Sequence, residues 1–315
     1  MFLFFLRISS MYKNVFIVIF SLLFANQVFA KNTGILVSIK PLHSLVSAVV
    51  GKTDKVSLLI KGSMSPHSFA LKPSDTKLLN NSAVFFYIDD QLESALKKTV
   101  GGLPDDVNVI KVSTFKNLNL LPVREDVNWE EDGHDHHGHG HDHGSNDIHF
   151  WLDPNNAIKI IKGITQKLSS IYPENISAYK TNAKQIIQKI VTLDSSLKAN
   201  LESIKNKPYI VFHDAYQYFE KAYNLNAIGS ILLDPELPPS PQRIIKIRTK
   251  IENLKAHCVF KEPQFKAKII NTVIEGSEIK VGILDPLGAN IEPGPEMYLN
   301  LLNDLSKNLT GCLSL

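Results

Sequence analysis

Short runs of β-branched and aromatic residues recur along this chain, separated by stretches in which apolar positions return every three or four residues. In the first half the runs are TGILVSI (33–39), VSLLI (56–60), AVFFYI (83–88) and VNVIKV (107–112). In the second they are YIVFH (209–213), NAIGSI (226–231), HCVFKE (257–262) and KVGILD (280–285). Nearly continuous apolar runs of this length predict strands buried on both faces, as in parallel sheets covered by helices. Four runs per half, alternating with helical stretches, predict two α/β domains with mainly parallel sheets.

Between the halves the period lengthens. Asp153-Pro154 is an N-cap and N1 pair, predicting a helix to about Ile171. From Pro173 to about Lys205, Ile176, Tyr179, Ala183, Ile186, Ile190, Leu193, Leu197, Leu201 and Ile204 recur at helical spacing, with no Gly or Pro inside. This predicts one amphipathic helix of about 45 Å, a stiff connector between the halves. A coiled-coil arm would need the same pattern, but a single segment between two α/β halves suits a connector better. The expected division is 1–30, 31–172 with a His-rich loop at 130–146, a connector at 173–206, and 207–315.

The first thirty residues carry Arg7, Lys13, an apolar run from Val15 to Phe24 and a small residue at Ala30. They read as a secretory signal cut after Ala30, with Met11 an alternative start and an apolar core too short to span a bilayer. Export to a periplasm is expected. The two cysteines, Cys258 and Cys312, lie far from the cut, which argues against a lipid anchor. In an oxidising compartment they predict one disulfide, worth about 4 kcal/mol on the chain-entropy model. The rival reading, two thiolate metal ligands, lacks CxxC spacing.

The chain has 34 basic and 31 acidic residues, and loss of Arg7 and Lys13 with the signal lowers the formal charge from +3 to +1. That balance gives no footprint for nucleic acid. The length of 315 residues suffices for two domains with proper cores.

Candidate chemistry is concentrated in histidine. EEDGHDHHGHGHDHG (130–144) holds His134, His136, His137, His139, His141 and His143. Imidazoles suit zinc, copper and nickel, but interspersed glycines leave the backbone free and make ordered ligation entropically costly. A weak auxiliary metal site, or a solvated loop, is expected there. Ligands in open α/β sheets bind beyond the carboxyl ends of the strands. His67 follows the run at 56–60, His213 ends YIVFH, Asp285 ends KVGILD, and His149 in DIHFWLDP precedes the helix capped by Asp153. These four, drawn from both halves, are expected to converge in the crevice between the domains. His43 and His257 read as structural. Glu262 reads either as a hydrogen-bond acceptor near the cleft or as a helix-packing residue. LDPELPPSPQR (233–243) reads as a rigid turn before a helix, with lining of the cleft as the alternative.

GSMSPHSFALKPSD (62–75), DIHFWLDP (147–154), VFHDAYQYFE (211–220), CVFKEPQF (258–265) and LDPLGANIEPGPEMY (284–298), in this order, resemble the metal-binding solute-binding proteins of ABC importers, and within them the zinc-uptake branch. The resemblance covers nearly all of the chain after the signal. It implies two (βα)4 domains bridged by one long helix and an interdomain zinc site, with the histidine ligands falling on His67, His149 and His213. Manganese-binding relatives tend to have a carboxylate at the position of His213, which favours Zn2+ here. Some relatives carry a Glu before the first His; Pro66 stands there and cannot ligate, which leaves Asp285 or a water as fourth ligand, with Asp285 preferred.

The function expected is capture of Zn2+ in the periplasm and delivery to an inner-membrane ABC permease with its cytoplasmic ATPase. A monomer is expected, with periplasmic zinc donor proteins as further partners and no enzymatic activity. The alternatives are a manganese or iron importer component of the same fold, and a three-histidine zinc hydrolase, against which the sequence has no HExxH and no obvious general base.

Overall fold

A computed structural model describes residues 34–124, 146–232, 235, 237–266 and 268–314. The signal segment and the His-rich stretch lie outside the described residues, and with them His134, His136, His137, His139, His141 and His143.

The apolar runs of the first half form β1 (Ile35–Val37), β2 (Val56–Leu58), β3 (Val84–Tyr87) and β4 (Asn108–Lys111). Those of the second form β5 (Tyr209–His213), β6 (Ala227–Leu232), β7 (Cys258–Lys261) and β8 (Lys280–Ile283). They make two four-stranded sheets, ordered β2-β1-β3-β4 and β6-β5-β7-β8, with parallel pairing throughout. Strand order reverses between β1 and β3 and between β5 and β7, so each sheet has a crevice at the carboxyl ends of that central pair. Most strands are shorter than the runs that predict them. Residues after β1, for example, turn at Ser38 and enter helix α1 (Lys40–Val50), which carries a proline in its first turn.

The other helices of the first half are α2 (Pro73–Asn80), α3 (Leu96–Val100) and α4 (Pro154–Ile171). Asp153 caps α4 as expected, its Oδ1 accepting from the amide of Asn155 at 2.8 Å. Gly163 within α4 is needed for packing: a Cβ there would lie 2.3 Å from Cδ2 of Phe115. The connector is α5 (Ile176–Leu201), 26 residues and about 39 Å. It is shorter than expected because single 3-10 turns, Pro173–Asn175 and Glu202–Ile204, flank it. The second half adds α6 (Gln217–Tyr223), α7 (Pro241–Asn253), α8 (Lys268–Ile274) and α9 (Met297–Leu313).

Helix α5 packs against α1, α4 and α9. Its stripe of Tyr179, Ala183, Ile186, Ile190, Leu197 and Leu201 is buried, and the apolar core runs unbroken from the first sheet past this stripe into β5, β7 and α9. A smaller cluster lies between the second sheet and α7 and α8. Cys258 of β7 and Cys312 of α9 are joined by the expected disulfide, S–S 2.04 Å. Among the described residues no helix is long and apolar enough to cross a membrane.

Polar bonds also cross between the halves. Trp151 Nε1 donates to the Pro286 carbonyl at 3.0 Å, and Tyr298 Oη donates to the Trp151 carbonyl at 2.7 Å. The buried Lys40 ammonium donates to the carbonyls of Gly288, Ala289 and Ile291 at 3.1, 2.5 and 3.1 Å.

The crevice of the first sheet is filled by Glu93, fully buried, which accepts from Ser38 Oγ at 2.5 Å and from the amides of Ile88 and Asp89 at 3.2 and 3.0 Å. Burial outweighs these donors and pushes its pKa up to about 7. In the folded state the carboxyl therefore keeps its proton to higher pH than in the unfolded chain. Its contribution is fully present below about pH 4.5 and is lost as pH rises through about 7. Denaturant unfolding at pH 5 and pH 8 should show a smaller loss of stability over that interval for Glu93→Gln than for the native chain. An equal loss in both would assign the pH dependence to other groups.

Candidate metal centre

The three histidines expected to converge do so. His213 is the last residue of β5, His67 lies in the loop after β2, and His149 immediately precedes the 3-10 turn Phe150–Leu152 that leads into α4. One nitrogen from each lies within 4.8 Å of those of the other two. Ring centroids are 5.5 Å apart for His67 and His149, 5.7 Å for His67 and His213, and 5.3 Å for His149 and His213. Three imidazoles bound tetrahedrally at a Zn–N distance of 2.0–2.1 Å would have centroids about 5.2 Å apart, so only small movements are needed to seat an ion.

Two of the rings are held by carboxylates. Asp147 Oδ1 bonds His149 Nδ1 at 2.8 Å and also accepts from the His149 amide at 2.9 Å. Glu262, next after β7, bonds His213 Nδ1 at 2.7 Å across the crevice between β5 and β7. A carboxylate is an acceptor, so each bond places hydrogen on Nδ1 and leaves Nε2 as the free lone pair. Both Nε2 atoms are buried without a hydrogen-bond partner. Buried polar atoms are rarely left this way unless something absent from the chain satisfies them. His67 is placed by a loop in which its amide bonds Ser65 Oγ at 3.3 Å.

The electrostatics separate the rings. Burial, and then the proximity of His149 and His213, drive the His67 pKa down to about 2, which keeps that ring neutral and able to ligate. Burial opposes protonation of His213 too, but Glu262 beside it outweighs that effect and holds its pKa above the ordinary value. The small cavity among the rings, about 10 Å3, is also lined by Trp151, Glu262, Gln264, Phe265 and Leu287.

Asp285, expected to close the set, does not join it among the described residues. Its Oδ1 accepts from Gln264 Nε2 and from the amides of Leu287 and Gly288 at 2.7, 3.0 and 2.9 Å, and its Oδ2 from the amide of Ala289 at 2.5 Å. It holds the turn after β8 instead. His43 is structural as expected: it is buried in α1, with Nε2 3.3 Å from the Val56 carbonyl. His257 Nδ1 bonds the Lys255 carbonyl at 3.1 Å, outside the cluster. Of the proline-rich turn, Ser240 caps α7, and Pro235 lines a second cavity that opens beside His67 and His149. Sequence reasoning left Glu262 ambiguous and missed Asp147, although an acid two residues before a candidate ligand is a readable signal. It also missed Arg124, which forks onto Asp214 and Glu220 and so fastens the segment ahead of the His-rich stretch to the domain carrying His213.

Two parallel sheets fixed by one long helix, with imidazoles buried between them, define a two-domain solute-binding protein built for a cation. Residues 35–312 match the model of the zinc-uptake complex component A, periplasmic (ZnuA), and the chain belongs to that family. It is 39% identical over 308 residues to the high-affinity zinc uptake system protein ZnuA of Brucella suis biovar 1, covering 89% of this chain and 92% of that one. Among solved structures it resembles a Zn(II)-bound mutant variant of AdcAII from Streptococcus pneumoniae, with a TM-score of 0.72 and 26% identity over 89% of this chain and 99% of that one. The SBP FpvC from Pseudomonas aeruginosa, in complex with Mn2+, shares the fold at a TM-score of 0.75 and 19% identity, over 90% and 99% of the two chains.

Removing the carboxylate that orients a metal-binding imidazole typically weakens metal affinity about 10- to 100-fold. Glu262→Gln should do so here while leaving the far-ultraviolet circular dichroism of the metal-free protein unchanged. Competition against a chelator gives the affinity, and an unchanged value would remove Glu262 from the site.

Proposed function

We propose that this protein captures Zn2+ in the periplasm and passes it to an ABC permease powered by an ATPase, with His67, His149 and His213 holding the ion. The observation that carries this reading is the pair of buried, unpartnered Nε2 atoms on His149 and His213, each on a ring fixed from behind by a carboxylate. An all-imidazole set favours zinc over manganese, which prefers oxygen ligands. The name of the Brucella relative and the Zn(II)-bound AdcAII structure support the same cation.

Binding rather than hydrolysis suits the surroundings, because Asp147 and Glu262 each commit one carboxylate oxygen to orienting an imidazole of the cluster. Release to the permease would proceed through small shifts of the two halves, since the continuous core along α5 resists large hinge motion. The finer reading comprises export by a signal cut after Ala30, action as a monomer, and receipt of zinc from periplasmic donor proteins. The six histidines from His134 to His143, a few residues ahead of His149 in the sequence, would act as a weak auxiliary store.

Metal titration of the intact protein should show one tightly bound Zn2+ and further weak sites. Deleting residues 132–144 should abolish only the weak ones. His213→Ala should cost more zinc affinity than Asp285→Ala, and Mn2+ in excess should not displace the tight ion. Loss of the tight site with the deletion, or displacement by Mn2+, would overturn the assignment.

A further inference from the structure

Gln264 lies three residues beyond the end of β7 and lines the same cavity as His67, His149 and His213. Its side-chain nitrogen donates to Asp285 Oδ1 at 2.7 Å. The orientation of this amide is fixed by chemistry. Asp285 already accepts from the amides of Leu287, Gly288 and Ala289, so it is a carboxylate with acceptors only, and the group facing it must be the NH2. The other end of the amide, Oε1, is thereby turned away from Asp285, and it is buried with no hydrogen-bond partner. A buried carbonyl is rarely left unpaired, so Oε1 is placed to accept from a donor that the polypeptide does not supply.

Three imidazoles satisfy three vertices of a tetrahedral zinc and leave the fourth open. No imidazole can supply the donor that Oε1 needs, because the nitrogens facing the ion carry lone pairs. A water on the fourth vertex can, and a metal ion strengthens its O–H groups as donors. We propose that Gln264 is a positioning residue whose Oε1 accepts a hydrogen bond from a zinc-bound water at the fourth vertex. Asp285 then acts on the metal through Gln264, by holding the amide, and is not itself a ligand. This inference rests on the zinc-binding reading above and refines it. It gives Asp285 a role that its four hydrogen bonds already show it performing. It also makes the fourth ligand the one that exchanges without moving any side chain, a suitable first step in handing the ion on.

The test uses the full exported chain and three variants. Gln264→Met keeps the length of the side chain and removes the acceptor; Gln264→Leu serves as a second apolar replacement should the first fail to fold. Asp285→Asn keeps an oxygen able to accept from Gln264. Zinc affinity is measured by chelator competition, and the Co2+-loaded proteins report ligand geometry through their visible d–d bands, which a merely structural role for Gln264 would leave in place. The expected result is a loss of about tenfold or more for Gln264→Met with shifted cobalt bands, and a loss of no more than about threefold for Asp285→Asn with bands unchanged. The reverse order, with Asp285→Asn shifting the bands and losing more affinity, would make Asp285 the ligand and overturn the proposal. Native affinity and bands in both apolar variants would overturn it as well. Failure of the underlying reading is distinguishable, because then His213→Ala would also leave tight zinc binding unchanged.

Discussion

The apolar core that runs unbroken from the first sheet, along the buried stripe of α5, and into β5, β7 and α9 fixes the relation of the two halves. The histidine cluster depends on that relation. His67 and His149 come from the first half and His213 from the second, so nitrogens within 4.8 Å of one another stay together only while the two sheets keep their relation. Close packing makes such a core stiff, since its side chains interdigitate with little free volume. Hydrogen bonds at Trp151, Tyr298, Lys40 and Arg124 then set the register that nondirectional burial alone would leave loose.

Burial favours the neutral form of each titratable group at the carboxyl ends of the two sheets, and its neighbours decide whether that form prevails. Glu93, in the first crevice, is driven toward its neutral form. His67, at the mouth between the halves, is driven toward its neutral form as well, which for an imidazole means an available lone pair. In the second crevice Glu262 reverses the effect of burial on His213. A cation arriving in this cavity meets rings preoriented by Asp147 and Glu262, and at His213 it competes with the proton that Glu262 favours. The site is expensive to the fold until it is filled, as buried polar atoms without partners are. Metal binding and folding stability are coupled for the same reason.

Much of this was legible in the residues. Continuous apolar runs marked every strand, but only β1, β3 and β5 are buried along their whole length; the edge strand β8 leaves Val281 and Ile283 exposed, so the expected burial on both faces does not hold for it. The Asp153-Pro154 cap marked the start of α4, and the stripe from Ile176 to Leu201 marked the connector. His67, His149 and His213 were found because they fall beside strand ends or a helix start. Asp285 has the same address, yet its carboxylate faces the turn it closes, and position along a strand does not say which way a side chain at its end will point. Glu262 escaped assignment because its partner is set by tertiary contact: it meets His213 only when β5 and β7 pair. Asp147, two residues before His149, was readable in the sequence and went unread. The ends of α5 were overextended because a stripe of apolar residues continues through 3-10 turns as readily as through an α-helix.

Lys40 adds one more consequence. Its ammonium has three protons, and each is donated to a different carbonyl of the segment Gly288–Ile291 in the opposite half. The three acceptors share one short stretch of backbone, so the bonds cannot be given up one at a time by swinging the halves apart; withdrawing the ammonium forfeits all of them together. Separation at this seam therefore forfeits three hydrogen bonds in one step, so Lys40 acts there as a latch and not as a graded contact.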